Sequence, residues 1–115
     1  MNLIDTDKLI ADIQLSATHP GDISIITLLE ILRGIDDEKR PIIKKLLEQH
    51  YRVHGIENDV VLVTCSIYNQ LKQDGEIIPD ADLIIAATAI SKNLTLVTGD
   101  HHFQRLTKYG LKLEP

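Results

Sequence analysis

Tryptophan is absent from this chain, and three tyrosines and one phenylalanine are its only aromatic side chains. So few rings exclude a binding surface built mainly on base stacking. Cysteine occurs once, at Cys65, which excludes an internal disulfide. Its apolar neighbours make it read as a small core residue. No apolar run approaches the roughly 20 residues that a membrane-spanning helix needs, and the N-terminus carries no basic segment followed by a long apolar one. The expected protein is soluble and cytoplasmic. Basic residues are in deficit, 12 Lys and Arg against 17 Asp and Glu, for a net charge of −5. That balance argues against a nucleic-acid binder that works through a broad basic surface. Pro/Gly/Ser-rich linkers, low-complexity runs and repeats are also missing, so residues 1–115 are expected to form a single domain.

What is present is aliphatic: 43% of the residues are apolar, nearly all Ile, Leu, Val and Ala. Asn2 to Ile4 predicts a first strand that stops at Asp5. Thr6 then reads as the N-cap of a helix with Leu9, Ile10 and Ile13 on its inner face. After turn chemistry at His19–Asp22, the β-branched run to Thr27 predicts a second strand. Thr27-Leu28-Leu29-Glu30 has the form of a capping box, opening a helix that ends near Gly34. Pro41 starts a third helix running to about Tyr51, and Arg40, Lys44 and Lys45 read as its solvated face. Val53 to Ile56 reads as a short strand. Between Glu57 and Asp74 the strand-like VVLV competes with Val60, Thr64, Ile67 and Leu71 on one helical face, and the longer period favours a helix.

Asp80 to Lys92 is a helix almost free of polar positions, hence sandwiched between layers, and Leu94 to Thr98 is a central strand. His101 to Lys108 reads as a loop or one helical turn, and Leu111 to Leu113 as an edge strand. Strands alternating with helices predict an α/β fold: a three-layer sandwich with a central, mostly parallel sheet and helices on both faces.

That topology collects acids. In βαβ units each helix starts at the carboxyl edge of the preceding strand, where open parallel sheets bind ligands. Asp5 ends the first strand, Glu30 lies on the helix after the second, and Asp100 follows the last central strand. Asp80 and Asp82 stand about 200° apart around their helix. Asp82 shares a stripe with Ile85, Ala86 and Ala89, so it faces the sheet edge while Asp80 caps. Four crowded carboxylates repel and protonate unless a cation holds them. Oxygen donors without a Cys or a His pair favour Mg²⁺ or Mn²⁺. Committing four acids to a metal leaves the rest of the chain nearly neutral, which weakens the charge argument against nucleic acid. The chemistry is metal-assisted phosphodiester hydrolysis.

Four segments carry a resemblance: LIDTDKLI, ISIITLLEILRG, DADLIIAATAI and LVTGDHHF, in that order over nearly the whole chain. They resemble a PIN domain of the VapC toxin type. The resemblance implies a Mg²⁺- or Mn²⁺-dependent endoribonuclease with Asp5, Glu30, Asp82 and Asp100 as catalytic and metal-binding residues. It implies a homodimer and a VapB-like antitoxin that covers helices near the site. Thr98 matches the hydroxyl residue that supports the acids, and Arg33 the Arg-Gly after the acidic helix. Lys8 departs from the apolar residue usual at its position, and the chain is slightly short for the family.

Blander readings stand beside this one. The capping box alone explains Glu30, a turn alone explains Asp100, and the helix dipole alone explains Asp82. Asp7 and Asp80 read as supporting or capping residues, His101 and His102 as solvated. His50 and His54 read as separated by a helix end, not as a zinc pair. Two other enzyme readings remain open. Asp5-Thr6-Asp7 also fits a haloacid-dehalogenase-type phosphatase with Asp5 as nucleophile, which needs a lysine for which Lys92 is a poor candidate. A PIN nuclease for RNA processing without a toxin role fits equally. An interaction module without catalysis ranks below these, because all four acids are present.

Overall fold

The computed structural model describes residues 1–17 and 19–114. Five short strands form one sheet: β1 (Asn2–Ile4), β2 (Asp22–Ser24), β3 (Arg52–His54), β4 (Thr95–Val97) and β5 (Lys112–Glu114). All pairings are parallel and the order is β3-β2-β1-β4-β5. The chain moves outward from β1 through β2 to β3, then returns to the other side of β1 for β4 and β5. This reversal makes the β1/β4 boundary the switch point, where a crevice opens at the carboxyl edge.

Residue alternation along the strands feeds two cores. Leu3 and Leu96 point into one cluster, filled by α4 (Asn58–Gln73), α5 (Asp80–Ser91) and a 3-10 helix (His101–Tyr109). Ile4 and Ile23 point into the other, filled by α1 (Thr6–Gln14), α2 (Ile25–Leu32) and α3 (Arg40–His50). Helix α5 buries Leu83, Ile85, Ala86, Ala87, Thr88 and Ala89, nearly all of its circumference, as its lack of polar positions predicts. Gly21 enters β2 so close to β1 that a Cβ there would meet the Asn2 carbonyl oxygen at 2.9 Å. Among the described residues no helix is long and apolar enough to cross a membrane.

Several local readings change. Asp5, not Thr6, is the N-cap of α1: its carboxylate accepts from the Thr6 amide. The buried stripe of α1 is Thr6, Leu9 and Asp12, whereas Ile10 and Ile13 are exposed. Polar Thr6 and Asp12 are tolerated inside because each is hydrogen-bonded, Asp12 to His19 at 2.7 Å. Strand β2 stops at Ser24, whose hydroxyl caps α2 by accepting from the Ile26 amide at 3.0 Å. The β-branched residues after it therefore open a helix, because the cap outweighs their strand propensity.

In α5 the N-cap is Pro79, and Asp80 is the first helical residue. Arg40 is half-exposed but does more than solvate the helix face. Its guanidinium donates to the carbonyls of Leu32 (2.9 Å) and Ile35 (2.8 Å) and so staples the turn between α2 and α3. Cys65 is exposed on α4 rather than in the core. The segment from His101 is a nine-residue 3-10 helix, longer than one turn, with Phe103 and Leu106 buried at the three-residue spacing that helix demands.

Candidate active site

The candidate site lies at the carboxyl edge of the sheet, across the β1/β4 switch point. Asp5 leaves β1 and is 5% exposed. One carboxylate oxygen accepts from the Thr6 amide at 2.8 Å, and the other from the Thr98 hydroxyl at 2.7 Å. Thr98 leaves β4, so this bond spans the crevice. The same Thr98 oxygen accepts from the Asp100 amide at 3.0 Å, which fixes the start of the turn that carries Asp100. Asp100 in turn caps the 3-10 helix, accepting from the His102 amide at 2.9 Å, and its carboxylate also meets the His102 ring at 2.8 Å.

Glu30 reaches the same edge from α2. It is the sixth residue of that helix, with Ser24 as the cap, so the capping-box explanation of Glu30 does not apply. Its Oε1 accepts from the Thr6 hydroxyl at 2.7 Å, and its Oε2 faces Arg33 at 3.9 Å. Thr6 also contacts Thr27, oxygen to oxygen, at 2.9 Å. Asp82 enters from the first turn of α5.

The electrostatics tie these groups together. Burial pushes the Asp5 carboxyl up from its usual range, against the bonds from Thr98 and Thr6, with the charges of Asp7 and Asp82 adding to the rise. Burial also raises Asp82, reinforced by Asp100, Glu30 and Asp7 and opposed by His102. Asp82 thus feels acids from three other elements and stands in the middle of the group. Two carboxyls held in an environment that disfavours their charge mark a place lacking positive charge. The donors are oxygens, which suits a hard divalent cation that retains water ligands. Among the described residues no three acid, imidazole or thiol groups close up into a finished metal cage. One oxygen each of Glu30 and Asp100 is engaged, by the Thr6 hydroxyl and by His102. A cleft of about 330 Å³ adjoins Asp82, lined by Ile78, Pro79, His102, Phe103 and Arg105.

All four acids singled out in the sequence come to this edge, and Asp7 joins them through its field. Asp80 is exposed and does not figure in the fields that raise Asp5 and Asp82. Sequence reasoning missed Thr6 as the link between acids, because it read that residue as a cap. It also missed the buried pair of His54 and Asp22, 2.7 Å apart on neighbouring strands. His101 is exposed, whereas His102 is engaged with Asp100. Lys92 lies ten residues beyond Asp82, about 15 Å along the helix, and pairs with Glu57 and Asp59 at 2.9 and 3.0 Å. Held there, it is a poor candidate for the lysine that phosphatase chemistry at Asp5 requires.

The chain is 41% identical over 92 residues to Ribonuclease VapC1 of Methanocaldococcus jannaschii, covering 79% of this chain and 68% of that protein. Its fold is similar to VapBC-1 from nontypeable Haemophilus influenzae, with a TM-score of 0.82 and 26% identity over 98% of this chain and 96% of that one. It is also similar to DNA-bound VapBC from Salmonella typhimurium, with a TM-score of 0.80 and 22% identity over 99% and 98% of the two chains. Residues 5–109 match the PIN domain, and the chain belongs to that family.

Proposed function

We propose that this protein is a metal-dependent endoribonuclease, the toxin of a toxin–antitoxin pair, with Asp5, Glu30, Asp82 and Asp100 as its catalytic and metal-holding residues. The observation that carries the reading is the convergence of Asp5, Glu30, Asp82 and Asp100 on the switch-point crevice, where Thr6 and Thr98 hold three of them and Asp82 lies within the field of the others. Such a group costs stability unless a cation meets it. A bound Mg²⁺ or Mn²⁺ supplies Lewis-acid stabilisation of the phosphoryl oxygens and a more acidic water nucleophile. The chain's own residues do the rest. Thr98 and the Thr6 amide hold both oxygens of Asp5 in a fixed orientation. Thr6 holds Glu30, and the Thr98-anchored turn presents Asp100. The cleft beside Asp82 gives the RNA strand room next to the acids.

The similarity to Ribonuclease VapC1 supports RNA as the substrate, and the likeness to VapBC-1 supports a VapB-like antitoxin as partner. A groove of about 530 Å³ between α2 and α3 offers that partner an apolar floor of Leu29, Leu32 and Ile56, with Arg33, Arg40 and Lys44 beside it. Exposed Val61, Leu62 and Tyr68 on α4 suit a homodimer contact. Residues 1–115 act as one PIN domain, in the cytoplasm. The test is cleavage of a labelled RNA by the purified protein, with and without Mg²⁺ or Mn²⁺, beside the Asp82→Asn variant. Metal-dependent cleavage that the variant loses supports the reading.

A further inference from the structure

We propose that Thr6 is a positioning residue for Glu30, acting as the middle member of a directed hydrogen-bond chain from Thr27 through Thr6 to the Glu30 carboxylate. The inference rests on the reading of Glu30 as a metal-holding acid and deepens it.

The direction follows from counting protons. Each threonine hydroxyl has one to give. The Thr6 hydroxyl lies 2.7 Å from Glu30 Oε1, and a carboxylate only accepts, so the Thr6 proton goes to Glu30. The contact between Thr6 and Thr27, 2.9 Å, must then be filled by the Thr27 proton. Thr27 is fully buried and Thr6 nearly so, which shields the chain from competing water. A hydroxyl that accepts one hydrogen bond becomes a better donor in the next, so Thr27 strengthens the grip of Thr6 on the acid.

The placement makes the chain specific. Thr6 is the first residue of α1, and its amide already holds Asp5 at 2.8 Å. One residue thus sets the positions of two acids from different elements, Asp5 by its backbone and Glu30 by its side chain. Replacing the side chain leaves the Asp5 bond in place and isolates the effect on Glu30. The other neighbour of Glu30 is Arg33, at 3.9 Å and largely exposed, which is too far for a hydrogen bond and cannot substitute.

The test compares Thr6→Val, Thr6→Ser, Thr27→Val and Glu30→Gln by RNA cleavage kinetics, by Mn²⁺ affinity measured calorimetrically on the RNA-free protein, and by thermal midpoint. Groups that orient metal ligands typically contribute about 10–100-fold in affinity or activity. Thr6→Val is expected to lower kcat and Mn²⁺ affinity by about tenfold while KM for RNA stays unchanged, because the Thr6 side chain is nearly buried. Thr6→Ser retains the hydroxyl and restores both. Thr27→Val leaves the Thr6 proton free for Glu30 and has a smaller effect than Thr6→Val. Thr6→Ala replaces the valine variant if that fails to fold. The proposal is overturned if Thr6→Val keeps wild-type Mn²⁺ affinity and kcat, if Thr6→Ser does not rescue, or if Thr27→Val is as damaging as Thr6→Val. Glu30→Gln separates the two levels: if it keeps wild-type cleavage and Mn²⁺ affinity, the site reading itself fails, not only the role of Thr6.

Discussion

The Thr98 hydroxyl donates to the Asp5 carboxylate at 2.7 Å across a sequence separation of 93 residues. It joins the ends of β1 and β4, the two parallel strands at which the strand order reverses. The same oxygen receives the Asp100 amide at 3.0 Å, so one buried hydroxyl orders acids on both sides of the crevice. Thr98→Val removes both bonds and leaves the Asp100 amide and an Asp5 oxygen short of a partner. A loss of about 1–3 kcal/mol is expected from such unsatisfied buried groups, read from chemical denaturation. RNA cleavage should fall as well, and Thr98→Ser should restore both.

Asp82 links stability to pH in a defined direction. Its carboxyl is raised in the folded protein, so the folded state favours the protonated form. Its contribution is most favourable below the ordinary carboxylate range and is lost as pH rises through the raised folded value. Asp59 shifts oppositely, held down by the hydrogen bond from Lys92, so the difference between variant and wild type is the useful quantity. In metal-free protein, Asp82→Asn should match wild type near pH 4 and be the more stable of the two at pH 7, measured by thermal melting.

Divalent cation should reverse that ranking. Ligand bound only by the folded state stabilises it in proportion to the logarithm of concentration over dissociation constant, about 2.7 kcal/mol at a hundredfold excess over the constant. Wild type should gain thermal stability on adding Mn²⁺ or Mg²⁺, and Asp82→Asn should gain little. A chelator should silence cleavage, and excess cation should restore it.

Lys92 separates the nuclease from a phosphatase. It pairs with Glu57 and Asp59 at the far end of α5 from Asp82. Exposed pairs of this kind contribute little. Lys92→Ala should leave RNA cleavage at the wild-type level and the melting midpoint almost unmoved. Turnover of a small phosphate ester by the wild type that Lys92→Ala loses with an intact fold would favour phosphatase chemistry at Asp5.

The fold was legible where period and punctuation agreed. The apolar ring of α5 and the 3.6-residue stripe of α4 fixed both helices, and strand–helix alternation anticipated a parallel sheet, here parallel throughout. Ser24 and Thr6 show where reading stopped. Ser24 ends the strand early because its hydroxyl caps the helix by accepting from the amide two residues on, a contact that exists only once that helix has formed. Thr6 looked like a cap because its real partners, Thr27 and Glu30, lie 21 and 24 residues away. The four acids were legible because sheet topology alone delivers them to one edge. Of the hydroxyls that orient them, Thr98 is reached only through the family resemblance, and Thr6 and Thr27 not at all, because such contacts leave no periodic trace. Cys65 and Arg40 failed for the related reason that burial and loop stapling depend on what packs from outside the local segment.

The central claim is that the acids around Asp82 hold a divalent cation that cleaves RNA. Its most direct test is metal-dependent cleavage of a labelled RNA by Asp82→Asn, measured alongside its folded state. The account predicts that wild type cleaves with Mg²⁺ or Mn²⁺ while the variant, folded and at least as stable without metal, does not. A well-folded Asp82→Asn protein that cleaves at the wild-type rate with the same metal dependence would contradict it.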